Sequence, residues 1–144
     1  MYKKSSLKNR ALYPHFIKEH VRWSDTDMVG HVNNLSFSTY FETGRTEFLQ
    51  TLIAKDAERR ILMVLARMSV DYLDEIHWPS DVDVGTGILE IGQASCRMGQ
   101  ALFIGERCVS VSESVLVMID ENTRKPLQIP EWVRSFFSNF NIVK

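Results

Sequence analysis

Hydrophobic and polar residues alternate along residues 15–23, with Ile17, Val21 and Trp23 on one side and Lys18, His20 and Arg22 on the other, interrupted at Glu19. A period of two predicts a strand, because successive side chains point to opposite faces. Residues 24–34, Ser-Asp-Thr-Asp-Met-Val-Gly-His-Val-Asn-Asn, have no period and are dense in Asp, Gly and Asn, which predicts an irregular loop. The period then changes: Phe37, Tyr40, Phe41, Gly44, Phe48 and Leu52 recur at intervals of three and four, the stripe of an amphipathic helix. Asn33 or Asn34 can cap its start, since the amide oxygen accepts a first-turn N–H that has no partner within the helix. Gly44 lies inside the stripe, where glycine costs about 1 kcal/mol relative to alanine, so close packing of the helix backbone on a sheet is expected.

Beyond the charged connection 55–60 the chain reads as extended. Residues 61–73 begin as an apolar run and then alternate, with Ala66, Met68, Val70 and Tyr72 sharing a face, until Trp78-Pro79-Ser80-Asp81 interrupts. Val82, Val84, Thr86, Ile88 and Glu90 alternate against Asp83, Gly85, Gly87, Leu89 and Ile91. Gly92-Gln93 turns the chain into 94–107, with Cys96, Met98, Leu102 and Ile104 on one side, and 110–119 carries Val111, Val115, Val117 and Ile119 at odd positions. Trp132, Phe136 and Phe140 predict a short helix over about 130–140, beginning near Pro130. One strand, one long helix, four consecutive strands and a terminal helix predict an α+β protein in which the helix covers one face of an antiparallel sheet.

Composition narrows the class further. With 144 residues, 44% of them hydrophobic and 24% charged, the chain is expected to be one packed domain, with residues 1–12 a short solvated tail. A net charge of −1 suggests no nucleic-acid or acidic-membrane partner. No apolar stretch approaches the ~20 residues of a spanning helix, and no apolar segment follows the basic start, so no membrane insertion or secretion is expected. The two cysteines, Cys96 and Cys108, lie on strand-like segments and suggest reduced thiols in a cytoplasmic setting.

Residues 21–34, from Val21-Arg22-Trp23 through Asp27, Gly30, His31 and Asn33-Asn34, followed by Phe37, Tyr40-Phe41-Glu42 and Arg45, resemble the hot-dog thioesterases of the 4-hydroxybenzoyl-CoA thioesterase-like family. Met68-Ser69-Val70-Asp71-Tyr72-Leu73, the segment 113–120, Lys125-Pro126 and Ile129-Pro130 extend the likeness over about 17–132. The resemblance implies a sheet wrapped around a long central helix, and a homodimer or homotetramer with its active sites at a subunit interface. It implies hydrolysis of acyl-coenzyme A without metal or redox cofactor.

It further implies that Asp27 is the catalytic carboxylate, either activating water or attacking the carbonyl to form a transient anhydride. The Asn34 N–H matches the position that polarises the thioester oxygen, which suits a helix start, where amides are unpaired and the macrodipole is positive. Read without the resemblance, Asp27 is a loop carboxylate that bonds nearby amides. Asp25 is read as shaping the loop.

The run 27–34 also resembles the Asp-x-Asn-x-His-Val-Asn-Asn motif of plant acyl-carrier-protein thioesterases, but Val29 stands where that motif has Asn. His31 therefore either assists catalysis or holds the loop. Trp23, Gly30 and Tyr40 are expected on the substrate side; packing in the core is the alternative for the two aromatics. Glu42 and Arg45, one helical turn apart, are read as an ion pair. An Asp25-x-Asp27 metal site finds no supporting cluster of His, Cys or carboxylate nearby in sequence, so none is expected. Hydrolysis of acyl groups from acyl carrier protein, or non-catalytic acyl-CoA binding, are the competing functions. A hot-dog dehydratase would need a His/Asp or His/Glu pattern that the sequence lacks.

Overall fold

The computed structural model describes residues 4–54 and 61–142, so the charged connection 55–60 lies outside the described residues. Five strands, β1 (His15–His20), β2 (Leu62–Tyr72), β3 (Asp81–Ile91), β4 (Ser95–Ile104) and β5 (Arg107–Ile119), form one antiparallel sheet in the order β1-β3-β4-β5-β2. The long helix α1 (Asn34–Ile53) lies on one face, and α2 (Glu131–Ser138) closes one end of that face. The expected α+β arrangement of a sheet around a long helix is present.

Gly44 brings the helix onto the sheet. A Cβ there would stand 2.6 Å from Val84 Cγ1 and 2.9 Å from Gln100 Nε2, inside any real contact distance, so only glycine permits this approach. Toward the C-terminal end of α1, Phe48 and Leu52 pack with Ile88, Met98, Leu116 and the α2 residues Val133 and Phe137. Toward its N-terminal end, Phe37, Tyr40 and Phe41 pack with Val21, Val32, Ile76, Val82, Val84 and Leu102.

The change of pattern within residues 61–73 has a structural cause. The β2–β5 register shifts between Leu65 and Arg67. The extra residue reverses which parity points inward: Ile61 and Met63 pack toward one core cluster, and Met68 and Val70 toward the other. In β5 the inward positions of the second half are the even ones, Ser112, Ser114, Leu116 and Met118, while Val115, Val117 and Ile119 are half-buried on the outer face.

That outer face corrects the expectation of a solvated tail. Lys4–Lys8 and Arg10–Leu12 form 3-10 turns, and Leu7 is fully buried against Ala101, Phe103 and Val111, with Tyr13 and Ile142 beside it. The Tyr13 hydroxyl donates to the Leu7 carbonyl at 2.6 Å. A single helix covers one face of a sheet, and apolar side chains on the other face need cover as well. Arg45 is the second correction. Instead of a contact ion pair with Glu42 it turns inward, 5% exposed, and donates to Gln100 Oε1 at 3.3 Å, while Gln100 Nε2 donates to the Phe41 carbonyl and to Thr86. Burial holds the guanidinium pKa below its usual value, and the charge of Glu42 offsets this in part.

Candidate functional site

The loop between β1 and α1 is organised by Asp25. Its Oδ2 accepts from the Arg22 N–H at 2.9 Å and from the Tyr40 hydroxyl at 2.7 Å, and its backbone carbonyl accepts from the Asn33 N–H at 2.9 Å. Only 9% of Asp25 is exposed, as the structural reading of this residue requires. Burial, then the hydrogen bond and charge of Asp25, push the Tyr40 pKa well above that of a free phenol, so the hydroxyl stays a donor. Tyr40 itself is 1% exposed. It was expected on the substrate side, but in this chain it anchors the loop from below.

The same loop points Asp27 outward. A 3-10 turn at Trp23–Asp25 reverses the chain, and a bridge between Thr26 and Val32 closes the excursion. Within it, Gly30 donates to the Asp27 carbonyl at 3.1 Å with φ +83°, a left-handed conformation that side chains resist. Nothing lies within 4 Å of where a Gly30 Cβ would be, so the glycine is required here by the turn.

Asp27 Oδ1 accepts from the Val29 N–H at 2.9 Å and the His31 N–H at 3.4 Å. Bonding to nearby amides, the expectation for an ordinary loop carboxylate, thus occupies one oxygen. Among the described residues the other oxygen has no hydrogen-bond partner, and the residue is exposed.

Asn33 caps α1, its Oδ1 accepting from Ser36 N–H at 3.0 Å, which leaves Asn34 as the first helical residue. Among the described residues the Asn34 N–H has no acceptor, as the first turn of a helix dictates. Asp27, His31 and Asn34 line one cavity of about 290 Å³, closed by Phe37, Tyr72 and the connection 73–75. Tyr72 meets Phe37 edge-on, ring centroids 5.2 Å apart, so the apolar wall joins α1 to the end of β2.

Trp23 is placed elsewhere. It is 68% exposed, stands edge-on to Trp78 at 5.2 Å, and does not line this cavity.

His31 meets partners that the sequence reading missed. Its Nε2 lies 3.2 Å from Glu75 Oε2, and His77 Nε2 lies 3.3 Å from the same oxygen. Sequence alone showed no cluster of metal-ligating groups because this one forms across an antiparallel bridge between His31 and His77. Its available signal was Glu75-Ile76-His77, which in extended chain sets acid and imidazole on one side and apolar Ile76 on the other. Ile76 is indeed 1% exposed. Burial pushes the Cys96 thiol up to about 12 and also raises that of Cys108, which disfavours the thiolate at both, and neither lines the cavity that holds Asp27.

The chain is similar to known proteins over most of its length. Residues 21–137 match the thioesterase-like superfamily. An acyl-CoA thioesterase of Haemophilus influenzae, YbgC, is 26% identical over 121 residues, covering 81% of this chain and 89% of its own. A solved structure described as a predicted thioesterase from Bacillus stearothermophilus is 30% identical with a TM-score of 0.79, covering 88% of this chain and 97% of that one. A thioesterase from Thermus thermophilus, solved in complex with coenzyme A and Zn, is 30% identical with a TM-score of 0.74, covering 85% and 96%. The match over most of the chain, on an antiparallel sheet folded about one long helix, means that the protein belongs to the thioesterase-like superfamily of hot-dog thioester hydrolases.

Proposed function

We propose that this chain hydrolyses acyl-coenzyme A to a free acid and coenzyme A, with Asp27 as the catalytic carboxylate. The observation that carries this reading is the half-bonded Asp27 side chain sharing one cavity with the unpaired first amide of α1. The thioester carbonyl lies over the start of α1, where the Asn34 N–H and the positive helix end receive the developing oxyanion. Asp27, held by Val29 and His31 amides through Oδ1, uses its second oxygen either to deprotonate water or to attack the carbonyl carbon directly. In the second route water then cleaves the mixed anhydride, and in both the thiolate of coenzyme A leaves and takes up a proton. The acyl-CoA thioesterase relative and the thioesterase solved with coenzyme A support the carrier. His31 is held by Glu75 at the rim and Phe37 and Tyr72 give the acyl group an apolar wall.

The site is completed by a second copy. β2 is an edge strand with Val64 and Leu65 exposed at 37% and 46%, and such an edge invites pairing with an identical strand. Pairing through β2 carries Tyr72, at the cavity wall, into the interface. The test is free-thiol release from short, medium, long and aromatic acyl-CoAs by the wild type and Asp27→Asn, with the mass in solution measured alongside. Turnover that survives Asp27→Asn would overturn the mechanism; a monomer with full activity would overturn the shared site.

A further inference from the structure

We infer that His31, Glu75 and His77 form a site for a divalent cation of the zinc class at the rim of the cavity. The inference is independent of the hydrolytic reading, since none of its supports involves Asp27. The backbone fixes the three positions first. Val32 N–H donates to the Ile76 carbonyl at 2.8 Å, and His31 and His77 face each other across the antiparallel bridge, with Val32 and Ile76 buried behind them. Glu75 and His77 are two residues apart in extended chain and therefore share a side. The imidazoles come from one residue on each side of the bridge, and the carboxylate joins them.

The side chains converge. Both imidazoles present Nε2 to the same Glu75 oxygen, at 3.2 and 3.3 Å, and all three donor atoms lie within 4.8 Å of one another. The rings stand at 89° with centroids 4.8 Å apart, so they approach from different directions without stacking. Ligands about 2.0–2.1 Å from a tetrahedral zinc ion are separated by roughly 3.3 Å, the spacing the two nitrogens already keep from the oxygen. Two imidazoles and one carboxylate suit zinc and its first-row neighbours rather than calcium or magnesium, which prefer oxygen throughout.

Access and an open position are also present. The three side chains are 32%, 57% and 59% exposed, so an ion reaches them from solvent. His31 and Glu75 line the cavity as well, which leaves the fourth coordination position for water or a ligand group on the cavity side. The simpler account is a carboxylate accepting one hydrogen bond from each imidazole, and it predicts no affinity for a cation.

The deciding experiment uses the full chain, stripped with a chelator and titrated with Zn²⁺ by calorimetry and with Co²⁺ by visible absorption. We expect one ion per chain and intense d–d bands of a four- or five-coordinate nitrogen–oxygen site. Glu75→Gln and His77→Gln should each weaken binding at least ~10-fold, no less than the loss typical of a residue that only orients a ligand. Asp27→Asn should bind as the wild type does. Absence of saturable binding, wild-type affinity in both ligand variants, a thiolate charge-transfer band, or half an ion per chain would each overturn the assignment. Metal binding with a catalytically dead Asp27→Asn, or turnover without metal binding, separates this inference from the proposed function.

Discussion

Asp25 and Asp27 are two residues apart in one loop, yet the two sides of that loop are chemically opposite. The inner side is closed: Asp25 has the Arg22 amide and the Tyr40 hydroxyl on one oxygen, and its carbonyl holds Asn33. The outer side is open: Asp27 has one oxygen bonded to loop amides and a cavity beside it, and among the described residues the Asn34 amide on the same cavity has no acceptor. A buried polar group is tolerated when its bonds are complete, whereas reactivity needs an incomplete one, so the same residue type does structural work inside and is available for chemistry outside. The inner side is what makes the outer side possible, because a loop anchored at Asp25 can hold Asp27 in a fixed place.

The largest effect should come from the outer side. Asp27→Asn is expected to lower thiol release from acyl-CoA at least ~100-fold, the scale of a removed general base. Its urea midpoint should change little, since exposed substitutions usually stay within about 0.5 kcal/mol. A large loss of stability here would mean that both carboxylates are structural, and the contrast would collapse. Asp25→Ala should do the reverse. It leaves the Tyr40 hydroxyl and the Arg22 amide without their acceptor and is expected to lower unfolding free energy by about 2–3 kcal/mol in urea titrations. Tyr40→Phe removes one of those bonds and should lower it by about 1–2 kcal/mol, with a smaller fall in turnover than Asp27→Asn produces. If Tyr40→Phe instead left stability unchanged and altered KM alone, the residue would belong to the substrate side after all. Asn33→Ala removes the cap of α1 and should lower stability by about 1 kcal/mol, read in the same titrations.

What the sequence made legible follows the same division. Elements set by local periodicity were readable: the stripe from Phe37 to Leu52 is α1, and the tight packing implied by Gly44 is present at Val84 and Gln100. The expectation of a catalytic role for Asp27 rests on the family resemblance, because spacing alone does not distinguish Asp25 from Asp27. Features made by distant chain segments were not readable. Glu75 and His77 join His31 only once an antiparallel bridge forms, and Leu7 is core only because the outer face of β4 and β5 needs cover. Arg45 was misread for a related reason. Its nearest acid in sequence is Glu42, but the helix face it occupies looks into the sheet, where Gln100 accepts its hydrogen bond.

The smallest expected effect lies away from both sides of the loop and serves as their control. His15, at the start of β1, packs edge-on against Phe48 with ring centroids 5.5 Å apart, and its Nε2 is buried with no hydrogen-bond partner among the described residues. Burial therefore lowers its pKa below the ordinary 6.5, and the charge of Glu47 offsets this only in part. Well above pH 6.5 the folded and unfolded chains both carry this imidazole neutral, and it contributes no pH dependence. As pH falls through 6.5 the unfolded chain takes up a proton that the folded chain resists, so stability drops until the folded imidazole is protonated too. His15→Gln should flatten that part of the stability profile, measured by urea midpoints from about pH 7.5 to 5, while leaving the activity ratio of wild type to Asp27→Asn intact. A profile that keeps its slope in His15→Gln would place the titrating group elsewhere.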